Sequence, residues 1–194
     1  MTEQLRARYP DVEVIEYQPL LDSSDMTPHD WNRIGQDISD RINLADAFVV
    51  LHGTDTLAYT AAALSFMLAG IAKPVLITGA QRAWESDNSD APRNVEAALL
   101  LARSGGYRGV GVVFDGMLLQ GNRVRKADCE ADAAFASPNQ APVALTFGQG
   151  WALPGMLPDA TSFFRVLSQF GPTRALCDGP SRQALASSGW QISY

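Results

Sequence analysis

The chain has 194 residues, of which 46% are hydrophobic and 19% charged, so it can bury a core and is not intrinsically disordered. Its formal net charge is −6 and no basic stripe is present, which excludes nucleic acid as an expected partner. The two cysteines, Cys129 and Cys177, lie in no Cys-x-x-Cys pair. This spacing indicates neither a zinc site nor a redox motif. Two free thiols are favoured over a disulfide, because a disulfide would need an oxidising compartment.

Neither the start of the chain nor its longest apolar stretch predicts contact with a membrane. Residues 1–10 contain no apolar segment of the kind found in signal peptides. The apolar stretch 58–72 is interrupted by Tyr59, Thr60 and Gly70, and it is too short and too mixed to cross a bilayer. We expect a cytoplasmic protein.

The first elements are a short strand and an amphipathic helix. Residues 12–17 alternate apolar and polar side chains, which predicts a strand. Thr27 at the N-cap, Pro28 at the first helical position and Asp30 in the first turn predict the start of a helix. Its apolar side chains recur at helical spacing and should lie on a core.

Strands and helices then alternate. Continuous apolar runs predict strands buried on both faces; they span residues 47–51, 74–78 and 109–114. The intervening segment 57–69 predicts a helix capped by Asp55 or Thr56, and because it is apolar nearly all round we expect it to be deeply buried. A further helix should begin at Ser89 or Asp90.

The alternation predicts an α/β fold with an open, mostly parallel sheet flanked by helices. Ligands in such folds bind at the carboxyl ends of the strands. Residues 117–126 predict a β-hairpin that turns at Gly121-Asn122. Beyond residue 139 strands and helices no longer alternate, and only a helix over 159–170 is predicted.

The most specific motif is His52-Gly53-Thr54-Asp55-Thr56, which lies between a predicted strand and a predicted helix. At a helix N-terminus, unpaired N–H groups and the positive end of the dipole favour a carboxylate or an oxyanion. Thr54 and Asp55 could offer a hydroxyl and a carboxylate to one small polar ligand. The simpler alternative, with Asp55 and Thr56 as helix caps only, is equally consistent with the spacing, and His52 is more often structural than catalytic in this setting.

Two other groups of residues could contribute. Asp22-Ser23-Ser24-Asp25 offers short polar side chains that suit an amino-acid-like ligand, although an ordinary loop explains it as well. Lys126 could activate a hydroxyl if its surroundings favoured the neutral amine, whereas most lysines are solvated.

Together these segments resemble the L-asparaginase family, and most closely its cytoplasmic type I bacterial branch. The resemblance rests on consecutive blocks over residues 1–139; they are DSSDMTPHDW, FVVLHGTDTLAYTAAALSFML, KPVLITGAQR, SDAPRNVEAALL and GNRVRKADCEADAAFASPN. It implies hydrolysis of L-asparagine, with L-glutamine as a second substrate of some members, and no metal or organic cofactor.

The resemblance also implies roles for individual residues. Thr54, Asp55 and Lys126 correspond to a catalytic set in which the lysine moves a proton and the threonine hydroxyl reacts or activates water. The aspartate orients the lysine and helps to bind the substrate's amino group. Asp22, Ser23 and Ser24 correspond to the loop that holds the substrate's α-carboxylate and α-amino groups.

The sequence departs from the family pattern in three respects. It contains no TGGTI-type loop, which carries a further catalytic threonine after a strand in the middle of the sheet. We therefore expect low activity, and unpaired backbone groups on the strands flanking that position. Residues 140–194 do not resemble the family's C-terminal domain, so 1–139 is predicted to be the family-like domain. Family members are homo-oligomers with shared active sites, which that C-terminal domain completes.

Two other functions remain open from the sequence. The chain could be a non-catalytic remnant of an asparaginase that binds an amino acid or joins an oligomer. It could also belong to an amidotransferase acting on aminoacyl-tRNA, which shares an HGTDT-type motif, but the acidic composition argues against this.

Overall fold

The computed structural model describes residues 2–147, 150–152 and 189–193. Within them, ten strands run in chain order; they are β1 Val12–Ile15, β2 Ala45–Leu51, β3 Pro74–Thr78, β4 Gly109–Phe114, β5 Met117–Gln120, β6 Arg125–Lys126, β7 Phe135–Ala136, β8 Ala144–Phe147, β9 Gly150–Ala152 and β10 Gly189–Ser193. The described residues also form four α-helices; they are α1 Thr2–Arg8, α2 Pro28–Asp40, α3 Leu57–Met67 and α4 Ala91–Ser104.

Eight of these strands form one sheet in the order β1-β10-β2-β3-β4-β5-β8-β9. The strands from β1 to β4 in this order are parallel, and the remaining pairs are antiparallel. Leu51 at the end of β2 pairs with Thr78 at the end of β3, so their carboxyl ends share one edge. The prediction of an α/β fold with an open, mostly parallel sheet is confirmed.

β10 fills the position between β1 and β2. Ile192 pairs with Val14 on one side and Val49 on the other, both in parallel. The expectation of unpaired backbone groups on the strands flanking a missing central strand is therefore wrong. The tail beyond residue 139, whose sequence suggested no strand, supplies the backbone partner.

Two apolar layers cover the two faces of the sheet. On one face, Leu5 of α1 and Ala98 of α4 pack with Val49 and Leu76, all nearly inaccessible to solvent. The other face holds Ile34 of α2 and Leu64 of α3, which pack with Phe48, Val75 and Ile77. Alternate side chains of the same strands enter opposite layers, as the pleat of a strand requires.

The helices begin as predicted, but one is less buried than expected. Thr27 and Asp30 form a capping box at the start of α2, which ends at Asp40. On α3, Tyr59 is 66% and Phe66 72% exposed, so the expectation of a deeply buried helix is wrong. A sheet covers only one side of a helix. When the helix is apolar all round, its sequence does not show which face remains exposed to solvent.

The predicted hairpin turns at a different place. β4 and β5 are joined by a two-residue turn at Asp115-Gly116, where both residues have positive φ, 44° and 73°. This Asp-Gly pair is the favoured sequence for such a turn. Gly121-Asn122 instead begins a 3-10 helix, after which β6 pairs with β7 in a separate ribbon.

The tail contributes further to the sheet. β8 and β9 extend the sheet beyond β5, while the helix predicted at 159–170 and Cys177 lie outside the described residues. The domain boundary at residue 139 stays a prediction. No helix in the described part of the chain is long and apolar enough to cross a membrane.

Candidate active site

The HGTDT loop lies at the carboxyl end of β2 and leads directly into α3. The His52 N–H donates to the Thr78 carbonyl over 2.8 Å, which extends the β2–β3 ladder by one step. A side chain at position 53 would collide with Ser23, so Gly53 permits this close approach of two loops. The end of the strand and the start of the helix thus place Thr54 and Asp55 at the carboxyl edge of the sheet, where ligands bind in folds of this kind.

Lys126 reaches the same place from the β6–β7 ribbon. Its Nζ lies 2.8 Å from Thr54 Oγ1 and 3.2 Å from Asp55 Oδ1. Lys126 pairs with Phe135, which is 1% exposed and packs edge-on against Phe114 with ring centroids 4.8 Å apart. This anchored aromatic ring holds the ribbon in the core, so the fold brings Lys126 to Thr54 and Asp55, which lie 72 and 71 residues earlier in the sequence.

The segment Asp22–Asp25 packs beside this loop. Asp22 caps a 3-10 helix by accepting hydrogen bonds from the Ser24 N–H and hydroxyl, each over 2.9 Å, and these bonds lower the pKa of Asp22. Ser23 is buried, and its carbonyl accepts the Thr56 hydroxyl over 2.6 Å. The structure therefore docks the predicted Asp22-Ser23-Ser24 segment on the HGTDT loop, with the Asp22 and Ser24 side chains bonded to each other.

A hydrogen-bond network lies behind the loop and was not predicted. His52 Nδ1 lies 2.7 Å from the Gly53 carbonyl, and its Nε2 lies 2.8 Å from Thr60 Oγ1. Trp31 Nε1 donates to that same hydroxyl over 3.0 Å. Burial lowers the pKa of His52, which favours the neutral imidazole.

Asp90 also has a role that the sequence did not suggest. It is 3% exposed and makes no side-chain cap on α4; instead it accepts the N–H groups of Gln81 and Arg82, each over 2.9 Å. Asn94, one helical turn on, donates to both Asp90 and the Gly79 carbonyl. Asp90 and Asn94 together hold the loop that follows β3. The sequence did not indicate this role, because Asp90 lies where a helix cap is expected.

A cavity of about 310 Å³ is lined in part by Gly53. Its walls are mostly apolar, with polar groups from Ser23, His52 and Arg82. Among the described residues, its lining does not include Thr54, Asp55 or Lys126. The three side chains therefore stand beside this cavity rather than inside it.

The arrangement combines a hydroxyl, a carboxylate and an amine within hydrogen-bond reach. In its charged form Lys126 donates to both oxygens, and as a neutral amine it could take the proton of the Thr54 hydroxyl at the same distance. No group of three or more metal-binding side chains occurs within residues 2–147 and 150–152 that could hold an ion. The arrangement therefore suits proton transfer between the Thr54 hydroxyl and Lys126.

Comparison with known proteins identifies what these features resemble. A family model described as "Asparaginase, N-terminal" matches residues 1–154. L-asparaginase 1 of Escherichia coli (strain K12) is 47% identical over 143 residues, which cover 74% of this chain and 42% of that protein. A glutamyl-tRNA(Gln) amidotransferase component of Pyrococcus abyssi is 37% identical over 161 residues, covering 76% and 36%.

A solved structure shares the fold. L-asparaginase I of Vibrio cholerae superposes with a TM-score of 0.70 at 40% identity, over 80% of this chain and 49% of that protein. The chain thus spans about half the length, or less, of the relatives to which it is similar.

Proposed function

The chain belongs to the asparaginase family through its N-terminal domain, and we propose that it is an amidohydrolase that converts L-asparagine to L-aspartate and ammonia. The observation that carries the proposal is the contact of Lys126 Nζ with Thr54 Oγ1 at 2.8 Å and with Asp55 Oδ1 at 3.2 Å. No metal or cofactor enters the proposed reaction. L-glutamine is the second substrate that the proposal allows.

Each side chain has a proposed role in this reaction. Neutral Lys126 accepts the Thr54 proton, and the hydroxyl oxygen attacks the side-chain amide carbon or activates a water molecule that does so. The carbon–nitrogen bond breaks, the proton on Lys126 passes to the leaving nitrogen, and ammonia departs. If Thr54 attacked, a water molecule then hydrolyses the Thr54 ester, which releases L-aspartate and restores the hydroxyl; if water attacked, L-aspartate forms directly. Asp55 orients Lys126 and binds the substrate's amino group, while Asp22, Ser23 and Ser24 bind the α-carboxylate and α-amino groups.

Two properties of the family enter as parts of the proposal. We place the protein in the cytoplasm, and we propose that it forms a homo-oligomer. The exposed apolar side chains of Tyr59, Phe66 and Met67 on α3 support assembly. The amidotransferase alternative is less well supported, because identity to the Pyrococcus abyssi protein is 37% against 47% for the asparaginase.

The decisive test compares substitutions of Lys126. Lys126→Arg keeps a positive donor for Thr54 and Asp55 but remains protonated, so it should bind L-asparagine and lose turnover. Lys126→Met and Thr54→Ala should lose turnover as well, each by about a hundredfold or more. Ammonia release and calorimetric binding of L-asparagine measure the two properties separately.

The outcomes separate the remaining functions. Ammonia release by the unmodified chain sets the reference rate. Release at the unmodified rate by Lys126→Arg or Thr54→Ala would refute the assigned roles. Saturable binding of L-asparagine with no release in any variant would instead favour a binding protein.

A further inference from the structure

The peptide between Gly53 and Thr54 needs a restraint beyond its own backbone. Gly53 has no side chain, so its backbone has wide conformational freedom. The Gly53 carbonyl and the Thr54 N–H belong to one rigid peptide plane, and a rotation of that plane moves Thr54 relative to Lys126. The only side-chain contact that the structure gives this carbonyl, within residues 2–147 and 150–152, is His52 Nδ1 at 2.7 Å.

The partners of His52 determine where its proton lies. A carbonyl oxygen can only accept, so Nδ1 must donate to Gly53. In a neutral ring Nε2 is then an acceptor, and the Thr60 hydroxyl donates to it over 2.8 Å. Trp31 Nε1, which can only donate, occupies the acceptor side of Thr60 at 3.0 Å.

Each hydrogen bond in this series, from Trp31 through Thr60 and His52 to Gly53, therefore has one donor and one acceptor. The weaker alternative acceptor for the Thr60 hydroxyl, Met26 Sδ, is 3.9 Å away. Burial lowers the pKa of His52, which further favours the neutral imidazole. Three elements, α2, α3 and the end of β2, thus combine to hold one tautomer of one ring.

We propose that His52 is a positioning residue, whose neutral Nδ1–H tautomer holds the Gly53 carbonyl and so sets the Thr54 hydroxyl against Lys126 Nζ. His52 touches neither reacting group. It acts through the peptide plane, while Thr60 and Trp31 select its tautomer. This inference rests on the proposed function for the meaning of the Thr54–Lys126 contact, but the contact can be measured without turnover.

The composition of the chain makes that measurement direct. There are two histidines, His29 and His52, and two lysines, Lys73 and Lys126. In the ¹⁵N-labelled full chain, each side-chain nitrogen signal therefore has one internal reference. His29 is exposed, and Lys73 donates to the carbonyls of Ile42 and Ala45, away from the site.

The first readout is the tautomer of His52 at neutral pH. Long-range proton–nitrogen correlation should show a protonated Nδ1 and an unprotonated Nε2. Thr60→Val removes the hydroxyl that donates to Nε2, so this variant should populate the other tautomer. A protonated Nε2 in the unmodified chain would overturn the proposal.

The second readout is the Nζ signal of Lys126. His52→Ala should move it toward its position in Thr54→Ala, and His52→Asn, whose amide N–H can replace Nδ1–H, should return it most of the way. Lys73 should stay unchanged throughout. If His52→Ala does not fold, Thr60→Val should still move the Lys126 signal in the same direction. An unchanged Lys126 signal in a folded His52→Ala or Thr60→Val variant contradicts the proposal.

Turnover gives a separate result. Where the unmodified chain releases ammonia, His52→Ala should lower kcat about tenfold to a hundredfold with a smaller change in KM, and His52→Asn should recover most of the loss. An unmodified chain that releases no ammonia counts against the proposed function, while the nitrogen signals still decide the role of His52.

Discussion

At the scale of single residues, the loops around the site depend on buried side chains that accept backbone hydrogen bonds. Asp90 receives two backbone N–H groups and the Asn94 amide while it is 3% exposed. A buried N–H that loses its acceptor lowers the stability of the folded state by its full desolvation free energy. Asp90 therefore stabilises the loop after β3 more than a surface carboxylate could.

Removing this carboxylate should be costly. Asp90→Ala leaves the N–H groups of Gln81 and Arg82 without their acceptor, and we expect the free energy of unfolding to fall by about 2–4 kcal/mol. Urea denaturation measures the change. Asp87→Ala, in the exposed part of the same loop, is the matched control and should change stability by less than about 0.5 kcal/mol. Equal effects of the two substitutions would show that the buried carboxylate of Asp90 does not stabilise the loop more than an exposed one.

At the scale of elements, two short segments decide the site and the sheet. The β6–β7 ribbon has two residues in each strand, yet it carries Lys126 to Thr54 because Phe135 is anchored in the core. β10 has five residues and joins β1 to β2 through backbone pairing on both of its sides. Neither segment has enough hydrophobic pattern of its own to form without these partners.

The role of β10 can be tested on its backbone alone. Ile192→Pro removes the N–H of a residue that pairs with both neighbouring strands, and proline is not tolerated in the middle of a sheet. We expect a loss of about 3 kcal/mol in the free energy of unfolding and faster hydrogen exchange in β2. Ile192→Val keeps the backbone ladder and serves as the control. Unchanged exchange in β2 after Ile192→Pro would show that β10 does not support the sheet.

At the scale of the whole molecule, α3 carries an exposed apolar surface in the part of the chain that the structure describes. Tyr59 and Phe66 lie two helical turns apart on α3, and Met67 beside them is 44% exposed. Exposed apolar groups of this kind mark association surfaces in soluble proteins. This face is the surface that we assign to contact between copies of the chain.

Light scattering on the purified chain tests this assignment. We expect a mass of two or more chains of 20.9 kDa each. Phe66→Ser should lower the mass to that of a single chain, whereas Leu44→Ser should not, although Leu44 is 66% exposed elsewhere on the surface. A single-chain mass for the unmodified protein would contradict the proposed homo-oligomer.

The sequence by itself determined the local structure and the motif at its centre. The apolar runs predicted β2, β3 and β4, the signals at Thr27 and Pro28 predicted α2, and HGTDT was placed correctly between a strand and a helix. These features depend on neighbouring residues, whose side chains and backbone interact within one strand or one helical turn. The mostly parallel sheet followed from the order of these elements.

Only the tertiary structure decided which distant segments meet. Lys126 contacts Thr54 across 72 residues, β10 enters the sheet from the end of the chain, and His52 contacts Thr60 of α3, which in turn contacts Trp31 of α2. Contacts of this kind depend on packing and on backbone groups that need partners, and neither leaves a periodic trace in the sequence. The hairpin predicted to turn at Gly121-Asn122 turns at Asp115-Gly116 instead, because β5 pairs with β4.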